Sequence, residues 1–227
     1  MNTVTKVFES NAKLVGTGLA CRRGGRMVFE GLGIEALAGD FICLRGSNGS
    51  GKSTFLRLLS GFLPQADGAL NWSVGDETAD HLPPEIFLQS GHQNGLKPNF
   101  TLRENAAFFA SLMTGSALPG EDLRSASAVF DLQHLLADPV QYFSSGQRHR
   151  AALMRFALVD RQVWLMDEPT VGLDAANRAA LGQLIAEHIA RGGIVIAATH
   201  DPLGVEGVEL NMDDFQPKAM IAEEAWL

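Results

Sequence analysis

Cysteine is scarce in this sequence, basic residues are outnumbered, and no apolar run is long. The 227 residues include two cysteines, Cys21 and Cys43, which form no CxxC pair. Neither a disulfide framework nor a thiolate zinc site is therefore expected. Lys and Arg number 18 against 26 Asp and Glu, giving a formal net charge of −8 at pH 7. That balance argues against a nucleic-acid partner, because polyanion binders present a basic patch or stripe. No stretch approaches the roughly 18 apolar residues needed to cross a bilayer. The first sixteen residues hold no continuous apolar core of signal-peptide length. Internal repeats and low-complexity segments are also missing. What is present is ordinary globular composition, 46% hydrophobic and 19% charged, enough for one sizeable core. The expectation is a soluble, single-domain protein of a reducing compartment.

Residues 1–13 are mixed and polar and read as a loosely held extension. Short apolar strand candidates follow at Leu14–Leu19, Met27–Ile34 and Phe41–Arg45. The third runs into a Gly/Ser/Asn cluster and then a helix, Thr54–Ser60, stopped by Gly61. Residues 62–82 are turn-rich, and Pro83-Pro84 precedes a short strand at Glu85–Gln89. From Leu102 to about Leu136 the spacing turns helical. Leu102, Ala106, Phe109 and Leu112 share one face, and Leu123, Ala126 and Phe130 another. After Ser145 a helix (about Gly146–Leu158), a strand (Val163–Met166), a helix (Ala175–Arg191) and a strand (Ile194–Ala198) restore an α/β rhythm. Both late strands are continuous apolar runs, as buried parallel strands are. The acidic tail from Asp201 has no legible secondary structure.

Three motifs carry chemistry. Gly46, Ser47, Asn48, Gly49, Ser50, Gly51, Lys52 and Ser53 match G-x-x-x-x-G-K-[ST], between a strand and a helix. The glycines let successive N–H groups turn inward onto phosphate oxygens, and the helix N-terminus adds favourable potential. Lys52 brings a compact positive charge, and the Ser53 hydroxyl is a hard oxygen suited to Mg²⁺. The second motif is the apolar strand ending in Asp167-Glu168. Adjacent strand residues point to opposite sides, so one carboxylate is free to hold a metal's hydration shell and the other to polarise an attacking water. The third is Phe143-Ser144-Ser145-Gly146-Gln147 at a helix start, a second anion site for one small domain. Two such sites suggest two copies facing each other, each closing over the nucleotide of its neighbour.

At this point the chain resembles the ATP-binding cassette (ABC) ATPases, whose signature LSGGQ is matched by FSSGQ. Further elements follow in the family's order. Gln93, with Gln89 as a competing candidate, precedes Thr101-Leu102-Arg103-Glu104-Asn105, as the Q-loop glutamine precedes its segment. Val171-Gly172-Leu173-Asp174 is similar to the D-loop, and His200 follows a strand like the switch histidine. The resemblance implies an α/β P-loop NTPase fold with a RecA-like core, an antiparallel β subdomain and an inserted α-helical subdomain. The ATP-binding domain would span residues 14–227, with the helical subdomain at about 97–150. It implies ATP and Mg²⁺ as ligands, with nucleotide contacts at residues 46–53, Thr54, Ser144, Ser145, Gly146, Gln147 and Asp174. Metal contacts fall to Ser53, Gln93 and Asp167, and catalysis to Glu168, His200 and Gln93. An ATP-dependent homodimer is implied as well. The family's adenine-stacking aromatic has no counterpart in Cys21-Arg22-Arg23-Gly24-Gly25-Arg26, which leaves two alternatives: an arginine stacks instead, or the base is held loosely.

The segment Ser90-Gly91-His92-Gln93-Asn94-Gly95-Leu96-Lys97-Pro98, with Thr101, Glu104-Asn105 and Phe108, looks like the GHQxGLK…LT…EN motif of cytochrome c maturation haem exporters, in their ATP-binding subunits. That likeness implies an ATPase on the cytoplasmic face of the inner membrane, in peripheral contact through integral-membrane permease subunits of the same system. An ATPase of another exporter, a soluble cassette acting on DNA or ribosomes, and a P-loop kinase are the competing readings.

Overall fold

The computed structural model describes residues 8–91 and 94–217. Strands β1 (Lys13–Arg23) and β2 (Arg26–Leu37) form a long hairpin, followed by β3 (Phe41–Arg45) and helix α1 (Lys52–Leu59). Strands β4 (Asp67–Val74) and β5 (Glu77–Ala79) come next, then β6 (Phe87–Ser90), α2 (Leu102–Thr114) and α3 (Gly120–Val129). Then come α4 (Ser145–Leu153), α5 (Arg155–Leu158), β7 (Val163–Asp167), α6 (Ala175–Ala190), β8 (Ile194–Ala198) and β9 (Val208–Asn211). Two sheets result: an antiparallel one ordered β2-β1-β4-β5 and a five-stranded one ordered β6-β7-β8-β3-β9. Every pair in the second sheet is parallel.

The continuous apolar runs are explained by period two in a sheet covered on both faces. In β7, Trp164 and Met166 face one core, while Val163 and Leu165 face the other. Strand β8 divides the same way, with Val195 and Ala197 against Ile194, Ile196 and Ala198. One core contains the helical layer α2–α5 and α6; the other holds α1 and the antiparallel sheet. The site is thereby suspended from strand ends fixed by packing on both sides.

Several expectations need correction. The turn-rich stretch at 62–82 contains β4 and β5, because β4 completes the antiparallel sheet by pairing along β1. The helix expected over 146–158 is interrupted at Met154, which separates α4 from α5. Leu112 does not share the buried face of Leu102 and Ala106; it is 68% exposed. The tail from Asp201 contains β9 and a 3₁₀ turn at Met212–Phe215. Ahead of residue 14, Phe8 and Ala12 are buried rather than loosely held, and the Phe8 N–H donates to the Arg191 carbonyl.

Phe8 docks on an aromatic stack that includes a buried histidine. The His188 ring lies parallel to Trp164 at 3.7 Å between centroids and edge-on to Phe8 at 5.0 Å. Neither ring nitrogen has a hydrogen-bond partner among the described residues. Burial, helped by the nearby Arg191 charge, pushes its pKa down to about 3. A depressed histidine favours the folded state in full above its unfolded value near 6.5 and loses that contribution as pH falls toward 3. The expected slope is about 1.4 kcal/mol per pH unit in that window. Urea unfolding of wild type and His188→Leu between pH 7 and 4 measures it: the variant should lack this component, and coincident slopes would contradict it.

Candidate functional site

The glycine loop follows β3 and feeds α1. Gly46 and Gly51 take φ of 129° and 103°, conformations that cost L-residues strain. A Cβ on Gly46 would sit 2.7 Å from Ser50 Oγ, and one on Gly51 3.0 Å from Val28. Gly51 caps α1 without a side chain, leaving the first-turn N–H groups without a side-chain acceptor. The Lys52 ammonium is buried beneath the loop, donating to the Gly46 and Ser47 carbonyls at 2.7 and 3.1 Å. Ser50 Oγ is buried with no partner among the described residues. Uncapped N–H groups, a cation and an orphaned hydroxyl are the donor set an anion of several oxygens satisfies.

The acidic pair arrives from β7, two positions away from β3 across β8 in the sheet. Asp167 is 6% exposed, and its Oδ1 accepts from the Ser53 hydroxyl at 2.9 Å. Paired hard oxygens of this type suit Mg²⁺, so the residues fit that ion. Glu168 has φ of 50°, unusual for a residue with a side chain, and is held there by its N–H donating to the Ala198 carbonyl at 2.8 Å. That turn brings its carboxylate 3.7 Å from His200 Nε2. His200 is itself positioned by its neighbour. Arg45 Nη1 donates to the Thr199 carbonyl at 2.6 Å, and the Thr199 hydroxyl is 2.9 Å from that of Thr170.

With Asp167 standing behind Ser53, Lys52, Ser53, Glu168 and His200 line one cleft of about 670 Å³, within the usual range for a small-molecule site. Asn48, Gly49, Gly51, Lys52, Ser53 and Thr54 form its floor, Glu168, Val171 and His200 one wall, and Arg23 and Val28 another. Other sequence-selected residues lie elsewhere. Ser144 and Gln147 form a capping box on α4, with the Ser144 N–H donating to Gln147 Oε1 at 2.8 Å. Asp174 caps α6 by accepting from the Asn177 N–H, the bond that chiefly lowers its pKa. Neither group lines the cleft. The α4 start nevertheless abuts the loop after Glu168: His149 Nε2 lies 2.9 Å from the Pro169 carbonyl oxygen. Gln93, expected at the metal and in catalysis, and its neighbour His92 lie outside the described residues. The alternative, Gln89, sits in β6 opposite Leu165, its buried Oε1 without a partner among the described residues.

One contributor was not visible in sequence. Asp213, in the 3₁₀ turn after β9, accepts from the Ser47 hydroxyl at 2.7 Å and from its N–H at 2.9 Å. The hydroxyl bond, then the N–H, holds the Asp213 carboxyl below its ordinary pKa. Met212 packs against Gly46, so the end of the described chain grips the loop from outside. A lone acidic residue in an acidic tail carries no signal of this.

The motif resembling the haem-exporter loop has structural duties. Thr101 and Glu104 form a capping box on α2. The buried Asn105 side chain accepts from the Lys97 N–H at 2.8 Å and donates to the Lys97, Phe100 and Thr101 carbonyls. Arg155 donates to the Asn94 carbonyl and lies over the Phe109 ring. The loop from Asn94 is thus fastened to α2 and α5.

A parallel sheet carrying a phosphate loop and a carboxylate pair, flanked by an antiparallel sheet and a helical layer, defines an ABC-type nucleotide-binding domain. The ABC transporter family matches residues 29–171. The cytochrome c biogenesis ATP-binding export protein CcmA of Rhodopseudomonas palustris (strain BisB5) is 41% identical over 199 residues, covering 88% of this chain and 97% of that protein. CcmA of Nitrobacter winogradskyi is 42% identical over 200 residues, covering 88% and 98%. CcmA 2 of Cupriavidus metallidurans is 39% identical over 206, covering 89% and 96%. The chain belongs to the ABC transporter family and, within it, to the cytochrome c biogenesis ATP-binding export proteins. In fold it is similar to an ABC transporter ATP-binding protein from Pyrococcus furiosus, with TM-score 0.78 and 20% identity over 90% of this chain and all of that one. It is also similar to the cassette MJ0796, solved as a dimer bound to ADP and Pi, with TM-score 0.68 and 21% identity over 83% and 88%.

Proposed function

We propose that this chain is the ATP-hydrolysing subunit of an ABC exporter for cytochrome c biogenesis. The carrying observation is the convergence on one cleft of the Lys52 loop, of Ser53 with Asp167 bonded behind it, and of the Glu168–His200 pair. The N–H groups of the loop and Lys52 bind the ATP phosphates. Ser53 and Asp167 hold Mg²⁺, which when bound neutralises charge on the phosphate oxygens. Glu168 takes the proton of the attacking water, and His200 hydrogen-bonds the terminal phosphate. The α4 N-terminus, Ser144–Gln147, lies apart from the cleft of its own chain. It serves the nucleotide of a second copy, making an ATP-dependent homodimer, with Asp174 carried on the same face.

Among the described residues no helix is long and apolar enough to cross a membrane. Work on the membrane therefore passes through integral-membrane subunits of the cytochrome c biogenesis system, with this chain peripheral on the cytoplasmic face of the inner membrane. Their docking place is the groove of about 210 Å³ between Gly95-Leu96, α2 and α5, which Phe108 and Leu112 flank at 47% and 68% exposure. A pull-down from detergent-solubilised membranes tests this, read by mass spectrometry and haem absorbance. Wild type is expected to retain haem-pathway membrane proteins, and Leu112→Glu to lose them while its ATPase activity in isolation stays unchanged. Retention by the variant, or capture of a permease from an unrelated exporter, would refute the assignment.

A further inference from the structure

Helix α4 presents its N-terminus outward, with Ser144 and Ser145 exposed. One turn further on, the same helix rests on the segment that follows Glu168. His149 is half-buried there, its Nε2 2.9 Å from the Pro169 carbonyl oxygen. A carbonyl only accepts, so the ring carries its proton on Nε2 and donates it. Two looser approaches lie alongside. A Cβ on Gly146 would come 3.5 Å from the Gly172 carbonyl oxygen. The Arg150 charge adds to the Asn177 bonds, the larger cause, in lowering the Asp174 pKa. On its other side α4 is tied to the helical layer, where Arg150 Nη1 donates to the Phe130 carbonyl at 2.7 Å.

The segment underneath is held independently of the helix. Pro169 has a fixed φ, and the Glu168 N–H donates to the Ala198 carbonyl. The Thr170 hydroxyl meets that of Thr199 at 2.9 Å, both residues being buried. It is therefore the helix, not the segment, that depends on the histidine. We propose that His149 is a positioning residue for hydrolysis in a second copy. Its bond to Pro169 sets where α4 stands against the sheet, and so where Ser144–Gln147 meet the neighbour's nucleotide. This rests on the homodimer reading given above. His149 does not line the cleft of its own chain, so its loss leaves nucleotide binding there intact. A misplaced group at the neighbour's terminal phosphate instead slows the chemistry, which is sensitive to shifts of an ångström.

Pairs assembled from two differently tagged full-length chains test the assignment, with Glu168→Gln silencing one cleft. His149→Ala on the silenced copy is expected to lower turnover at the other copy's cleft about tenfold, the scale of one lost hydrogen bond. On the active copy it should change turnover little, and ADP titration of the single chain should be unaffected. His149→Gln on the silenced copy should restore turnover, because its amide N–H reaches the place of Nε2; His149→Asn, one bond shorter, should not. Equal losses from both placements, a larger loss from the active copy, weakened ADP binding, or recovery by Asn rather than Gln would each overturn the assignment. If ATP-loaded Glu168→Gln fails to pair, the homodimer reading falls and the inference with it. If it pairs and His149→Ala changes turnover from neither position, the role of His149 alone falls.

Discussion

Glu168→Gln is expected to keep ATP bound while turnover falls about 10²- to 10⁴-fold, the usual contribution of a positioned general base. The two side chains are nearly the same size, but an amide does not accept the water's proton. The fold should tolerate the exchange, since the positive φ at 168 rests on the backbone bond to Ala198, which glutamine keeps. His200, 3.7 Å away, loses a charged neighbour but stays positioned through Thr199, whose carbonyl is held by Arg45. With ATP bound and uncleaved, the variant should accumulate as a nucleotide-bridged pair, measurable by light scattering together with single-turnover hydrolysis. Wild-type turnover would remove Glu168 from the chemistry, and a persistently monomeric ATP-loaded variant would remove the shared site.

Lys52→Ala should abolish measurable hydrolysis and weaken ATP binding about 100-fold, the scale of a lost charge-assisted contact in a sheltered site. The ammonium is held by the Gly46 and Ser47 carbonyls, so it waits at the loop rather than in bulk water. Such preorganisation lowers the cost of ordering a flexible side chain when a phosphate arrives. Asp213 and Met212 grip the loop from outside and are untouched by the substitution. The melting temperature without nucleotide should therefore change little, while its rise on adding ATP should disappear. Nucleotide titration and thermal unfolding of the same variant read both effects, and retained wild-type turnover would show the loop to be misassigned.

The readable parts of the sequence were those whose physics is local. The phosphate loop needs glycines at conformations only they adopt freely, followed by a helix start, and all of this lies within nine residues. The runs ending at Asp167 and Thr199 are apolar throughout because β7 and β8 are covered on both faces. Residues 67–79 carry no clear strand pattern because β4 and β5 are half-exposed: β4 exists by pairing along β1, and the edge strand β5 by pairing along β4. The capping boxes at Thr101 and Ser144 have local patterns too, and their side chains turned out to close on their own helices.

The sequence alone determined which chemistries were present: an anion-binding loop with its cation, two adjacent carboxylates and a histidine at strand ends, and a second helix N-terminus. Tertiary structure alone decided which of them meet. Ser53 and Asp167 are 114 residues apart, and the Ser53 hydroxyl donates to the Asp167 carboxylate because β8 sets β3 and β7 at a fixed spacing. Ser47 and Asp213, 166 apart, meet because β9 pairs in parallel with β3 and delivers the chain back to the loop. Such contacts depend on strand order and on the direction in which each strand emerges. Both follow from the burial of two opposite faces by the whole chain, and no local window contains that information.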